Sequence, residues 1–199
     1  MAELSNVASS QPIGVLLAAG RGRRMNGGKQ FHPVATESGE KPLVASAFDS
    51  IAAVCRSMIV VVGHRAEEVL AVLGDRDFES VVADADAPMF RSVQAGLRAA
   101  QSCDQEASAL LQLGDHPQVA RATLLLMMAI ATDNPTKAVM PEYQGEGGHP
   151  VSLPPQLIRE LLTTECPDGL RGFWNAFPEK CMRIAVNDPA VVRDIDILS

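Results

Sequence analysis

Aromatic side chains are scarce in this chain. There are one Trp, one Tyr and six Phe, 4% of 199 residues, against an apolar share of 47%. A core with so few rings has to be made of Ala, Val, Leu and Ile, the composition of a sheet buried on both faces. Cysteine is sparse as well: Cys55, Cys103, Cys166 and Cys181 stand far apart and form no C-x-x-C pair. That spacing argues against a zinc framework and leads to the expectation of isolated, buried thiols in a reducing compartment. Positive charge is in deficit, with 17 Lys and Arg against 24 Asp and Glu, a net charge of -7 and a pI near 5.1. This balance argues against a general nucleic-acid binder. The longest apolar run, Leu124 to Ala131, is too short to span a bilayer. Residues 1–10 are polar and lack the apolar stretch of a secretory signal. The expectation is a disordered tail over 1–11 followed by one domain over 12–199, cytoplasmic, with neither membrane nor nucleic acid as partner.

What the chain does have is an alternation of short apolar runs and amphipathic segments. Strands are predicted at 13–18, 58–62, 81–83, 109–113, 138–140, 151–153 and 182–186. Helices are predicted at 43–54, with Pro42 placed to start the first turn, and at 65–73, 91–100, 121–131, 155–162 and 168–177. Strands alternating with helices imply an α/β fold, a single-domain, Rossmann-like three-layer sandwich with a mostly parallel sheet. In such sheets ligands sit beyond the carboxyl ends of the strands.

The segment following the first strand concentrates the chain's unusual features. Leu17 to Gln30 reads LAAGRGRRMNGGKQ and carries Arg21, Arg23, Arg24 and Lys29 among Gly20, Gly22, Gly27 and Gly28. Glycines let a backbone approach a ligand closely, and the cations oppose an anionic charge such as a polyphosphate. A solvated basic loop is the alternative. Two common phosphate loops are not matched. The dinucleotide fingerprint needs a third glycine where Met25 stands, and the Walker loop needs Ser or Thr where Gln30 follows Lys29.

The segment resembles the signature L-A-A-G-x-G-x-R-M-G-x-x-K of nucleotidyltransferases. More narrowly, it is similar to the molybdenum cofactor cytidylyltransferase branch of the MobA-like NTP transferases, with Asn26 at a position where that family usually has glycine. Asn tolerates a left-handed backbone, so the turn is compatible with it. Further matches follow in order. Ser92 to Leu97 (SVQAGL) resembles the S-x-x-A-G-L helix start beside the nucleotide base, the alternative being Ser92 as a helix cap. Gly114, Asp115 and Pro117 resemble the G-D-x-P turn, whose Asp holds a metal; the alternative is a turn that only ends a strand. Gly148 to Val151 resembles the G-H-P-V segment that contacts the acceptor, with a packing role as the alternative for His149. Val60 to His64 resembles the second strand, whose role is structural. Asp194, Ile195 and Asp196 match the start of D-I-D-T-P-E-D, after which the sequence reads Ile197, Leu198, Ser199.

The resemblance implies a fold of the nucleotide-diphospho-sugar transferase type and transfer of a nucleoside monophosphate from an NTP to a phosphorylated acceptor, with Mg2+. It assigns Arg24 and Lys29 to phosphate charge, and Asp115 to the reaction and, with Asp196, to the metal. It assigns Leu17, Ala18, Ala19, Gly20, Gly22, Ser92 and His149 to substrate binding. Relatives that use GTP tend to read L-A-G-G, so Ala19 favours CTP, and the branch favours a molybdopterin acceptor with a molybdoenzyme as partner. A sugar- or polyol-phosphate acceptor, or a cofactor-delivery factor with little turnover, are the alternatives. Lys29 is expected in an exposed loop. Asp115 is expected beside other acids, so that neutralising it would relieve repulsion in the metal-free protein.

Overall fold

The computed structural model of the protein describes residues 11–21, 28–36, 39–116 and 119–193. The tail over 1–10, Gly22, Arg24 and the 194–196 triplet therefore lie outside the described residues.

The first strand, β1 (Ile13–Ala18), is buried along its whole length. It lies between β4 (Ser57–Val62) and β6 (Ala109–Leu113), parallel to both. Outside β4 is β5 (Glu79–Val82), also parallel. Beyond β6 come β9 (Val151–Leu153), β7 (Ala138–Tyr143) and β10 (Cys181–Ala185), giving the order β10-β7-β9-β6-β1-β4-β5. β9 runs antiparallel to both of its neighbours, and the two-residue β8 (Glu146–Gly147) pairs antiparallel with β7.

Because successive strand residues face opposite sides, β1 divides its apolar residues between two cores. Ile13, Val15 and Leu17 face one layer with α3 (Met89–Cys103), α5 (Pro155–Thr163) and α6 (Gly169–Ala176). Leu16 and Ala18 face the other, with α1 (Leu43–Ala52), α2 (Ala66–Leu73) and α4 (Arg121–Asp133). This is the expected three-layer sandwich.

Three local expectations are corrected. Pro42 does not open the helix; it precedes α1 and closes β3 (Gly39–Pro42), which pairs with β2 (Pro33–Thr36) in a separate hairpin. Residues such as Gly39, Glu40, Lys41 and Pro42 have poor strand propensity, so tertiary pairing rather than local preference makes that strand. Helix α3 begins at Met89 with Pro88 before it, so Ser92 lies inside the first turn and is not its cap. The same helix continues past Ala100 to Cys103, which carries that thiol out of the core: Cys103 is exposed, and the other three cysteines are only partly covered.

Gly96 sets how closely α3 approaches the sheet. A Cβ there would sit 2.5 Å from a Val15 methyl and 2.8 Å from a Val61 methyl, nearer than packed atoms tolerate. The Gly96→Ala variant should therefore lose about 1–3 kcal/mol to overpacking, more than the roughly 1 kcal/mol gained in helix propensity. A lowered midpoint in urea denaturation is the expected result; a raised midpoint would mean that α3 has room to move outward.

Candidate active site

Parallel pairing places the tips of β1, β4, β5 and β6 on one edge, and backbone hydrogen bonds tie the turns that leave them. His64 N–H donates to Ala19 O at 3.2 Å, Ala83 N–H to Val62 O at 2.8 Å and Gly114 N–H to Leu17 O at 2.9 Å. Along this edge opens a cavity of about 290 Å³ lined by Leu17, Ala19, Gly20, Lys29, Ser92 and Asp115, among others. The sequence reading had named all of these, from segments spread across the chain. Asp84, Gln30 and Met89 complete much of the wall and are not among the site residues that the resemblance assigns.

Lys29 lies in a single helical turn, Lys29–Phe31. Its Nζ is 3.1 Å from Asp115 Oδ2, with the lysine side chain only 11% exposed and the aspartate side chain 34%. Both expectations for this pair are corrected: Lys29 is not in the open, and Asp115 faces a cation. Neutralising Asp115 would remove a counter-charge from a mostly buried lysine, not relieve repulsion. The neighbouring Gln30 turns its amide inward and donates to Ala18 O at 3.0 Å, fastening this turn to the end of β1. The Ala18 side chain itself packs in the opposite core layer. Next to the lining residues Gly20, Ala85 and Ala87, Arg21 pairs with Asp86, while the Asp86 N–H donates to Asp84 Oδ1 at 2.9 Å.

A second cavity, of about 800 Å³, adjoins the first through Leu17, Met89 and Leu113. Phe90, Val93, Met140 and Trp174 give it apolar walls, and Arg171, Arg183 and His149 also line it. His149 N–H donates to Val191 O at 2.8 Å, and a Cβ on Gly148 would lie 2.2 Å from that same oxygen. Only glycine admits so close a contact. Asp188 fixes the turn from its other end, accepting from Thr123 Oγ1 and Ala120 N–H, each at 2.9 Å, and from Ala190 N–H at 3.1 Å. The G-H-P-V segment is thus tied to the last described turn of the chain.

Gln112 was also missed. It is fully buried in β6, where its amide donates to His116 O at 2.5 Å. Its Oε1 has no partner among the described residues, nor does His116 Nδ1. The lone polar residue in ALLQL was the available signal. An amide half-satisfied in an apolar layer costs stability, and what it does is bracket the turn holding Asp115. Gln112→Leu should leave global stability within about 1 kcal/mol, since apolar contacts offset the lost bond, while amide exchange at Gly114 to His116 accelerates. Unchanged exchange would show that the turn holds without the bracket.

His149 and His116 meet edge-to-face, ring centroids 5.6 Å apart. Burial, and after it the nearby His116 ring, push the His149 imidazole down from 6.5 to about 4, despite the carbonyl of Leu111 at 3.5 Å. A histidine whose pKa is lower folded than unfolded contributes stability in full above the unfolded value and loses it as pH falls through the folded one. The melting temperature should therefore drop between pH 6.5 and about 4, and His149→Gln should flatten that slope. Parallel slopes for the two proteins would remove His149 as the titrating group.

The match of the chain to known families agrees with this geometry. Residues 14–180 match the MobA-like NTP transferase domain. The chain belongs to that family. Among solved structures, Rv0371c from Mycobacterium tuberculosis H37Rv is 26% identical, covering 94% of this chain and 92% of that one, with a TM-score of 0.77. The same protein is also known in complex with manganese, superposing at a TM-score of 0.69 with 26% identity over 88% of each chain. A nucleotidyl transferase from Methanothermobacter, 24% identical over 93% of this chain and 91% of that one, shares the fold at a TM-score of 0.76. The bifunctional protein GlmU of Burkholderia mallei is 33% identical over 122 residues, which is 60% of this chain. The chain spans about a quarter of the length of the curated relatives it matches, 25% in that case. Among the described residues no helix is long and apolar enough to cross a membrane.

Proposed function

We propose that the protein transfers a nucleoside monophosphate from an NTP, CTP by preference, to a phosphorylated acceptor, with release of pyrophosphate. The observation that carries this reading is the Lys29–Asp115 pair at 3.1 Å on the wall of a cavity that shares Leu17, Met89 and Leu113 with a second one. An oxygen of the acceptor phosphate attacks the α-phosphorus, a new P–O bond forms, and the bond to the β-phosphate oxygen breaks. A phosphate nucleophile is already anionic near neutral pH, so no general base is needed, and His149, neutral at that pH, fits a binding role. The cost lies in bringing polyanions together and holding the charge of the departing pyrophosphate. Lys29 meets that charge directly, and Arg24 is assigned the same role.

A divalent ion, Mg2+ or Mn2+, fits the residues present. Asp115 is a hard, partly exposed carboxylate that already balances a cation. No three His, Cys, Asp or Glu side chains gather among the described residues to hold an ion unaided. Mg2+ commonly takes only one or two carboxylates and completes its shell with phosphates and water. When bound it supplies charge stabilisation to the phosphates. Asp196 is assigned as a second ligand.

Ala19 supports CTP, because its Cβ narrows the wall against a purine. Asp84 adds a carboxylate to that wall, an acceptor for an N–H of a bound base. The apolar walls of the larger cavity, with Arg171 and Arg183, support an acceptor that carries a phosphate on a fused heterocycle, as molybdopterin does. A sugar or polyol phosphate would leave Phe90, Met140 and Trp174 facing hydroxyls. A molybdoenzyme is the corresponding partner. Pyrophosphate release should be fastest with CTP in the presence of molybdopterin, and Ala19→Gly should narrow the gap to GTP. At a hundred times its Kd, CTP should add about 2.7 kcal/mol of stability. No pyrophosphate with any NTP and acceptor, despite nucleotide binding, would favour a delivery factor over an enzyme.

A further inference from the structure

Lys29 and Asp115 are 86 residues apart in sequence, yet they meet at 3.1 Å. The lysine side chain is 11% exposed, so its ammonium needs a counter-charge at hand, and Asp115 supplies one. That same carboxylate oxygen cannot accept an ammonium and also ligate a divalent ion at full strength, because two cations a few ångströms apart repel each other. The cavity wall also offers no third-party cluster to hold the ion elsewhere, since no group of three His, Cys, Asp or Glu is gathered among the described residues.

We propose that Lys29 is an exchangeable counter-ion, which occupies the cation position on Asp115 in the nucleotide-free protein and yields it to a divalent ion when a triphosphate arrives to take the ammonium. The inference rests on the reading of Asp115 as the metal ligand. No covalent bond changes; one ion pair is exchanged for two. Metal and triphosphate then bind cooperatively, each removing the cost of admitting the other, and the coupling is reciprocal. The metal alone binds weakly because it must displace a mostly buried lysine from the carboxylate it is paired with.

Titration with Mn2+ alone, the free ion followed by electron paramagnetic resonance, tests this on the full chain. Lys29→Met keeps the length and apolar contacts of the stem while removing the charge. It should bind Mn2+ about tenfold more tightly than the wild type in the absence of nucleotide. Addition of CTP should tighten Mn2+ binding to the wild type and have much less effect on the variant. Asp115→Asn should lose Mn2+ binding in both conditions. If Lys29→Met binds Mn2+ no more tightly while Asp115→Asn loses it, the exchange is overturned and the ligand assignment stands. If Asp115→Asn binds Mn2+ as the wild type does, the ligand assignment itself fails, and the exchange with it. Should Lys29→Met not fold, as judged by circular dichroism, Lys29→Gln carries the same comparison with the same outcomes.

Discussion

β1 is buried on both faces and hydrogen-bonded on both edges, between β4 and β6, and everything at the candidate site depends on that placement. Parallel pairing forces the neighbouring strands to end on the same side, so the segments leaving β1 and β6 emerge next to each other although Leu17 and its partner Leu113 are 96 positions apart in the chain. The bond from Gly114 N–H to Leu17 O continues the ladder one residue past the strand. The Asp115 turn is thus anchored to the end of β1 by backbone geometry, before any side chain contributes. Lys29 reaches it because Gln30, hydrogen-bonded to Ala18 O, fastens the far end of the basic loop to the same strand.

The two cavities divide the chemistry by their walls. The smaller one has carboxylates, a lysine and small side chains around the ends of strands, where backbone can approach a polyanion closely. The larger one is lined by rings and methionine from α3, α6 and β7, with arginines at hand. In a chain with so few aromatic residues, Phe90 and Trp174 both lie on this one cavity, and Trp174 packs edge-to-face on Phe173 at 5.1 Å. Phe90 and Trp174 belong to the buried core as well. β9 is the antiparallel strand between β6 and β7. Running the other way, it begins at the ligand edge and so delivers Gly148 and His149 there, where a parallel strand would have delivered its end.

Several buried polar groups on this edge have a common physical sense. Gln112 and Asp188 sit within apolar surroundings; the Gln112 amide donates to the carbonyl of the buried His116, and the Asp188 carboxylate accepts from Ala120 and Ala190 N–H. A purely structural core would be cheaper with aliphatic residues, since desolvating an amide or carboxylate costs free energy that a bond only partly returns. Gln112 instead holds the turn that carries Asp115 onto the wall of the smaller cavity, and Asp188 the turn whose Val191 carbonyl accepts from His149 N–H.

Much was legible in the sequence because it depends on neighbours along the chain. Apolar runs of strand length, bounded by Gly and Pro, located β1, β4, β6 and β9 almost to the residue, and two-sided burial explains why those runs do not alternate. The Gly- and Arg-rich motif, and the Gly-Asp turn after ALLQL, carried the resemblance to the family to which the chain belongs. The tertiary structure decided the rest. Strand order, the reversed β9, the hairpin β2–β3 built on poor strand formers, and the meeting of Lys29 with Asp115 all depend on partners far away in the chain. Composition can say that a carboxylate ends a strand; whether it faces an acid or a lysine is settled only when the sheet brings the two tips together. Gln112 shows both sides of this: its oddity is visible in sequence, but its use, an amide aimed forward to the carbonyl of His116, appears only in the fold.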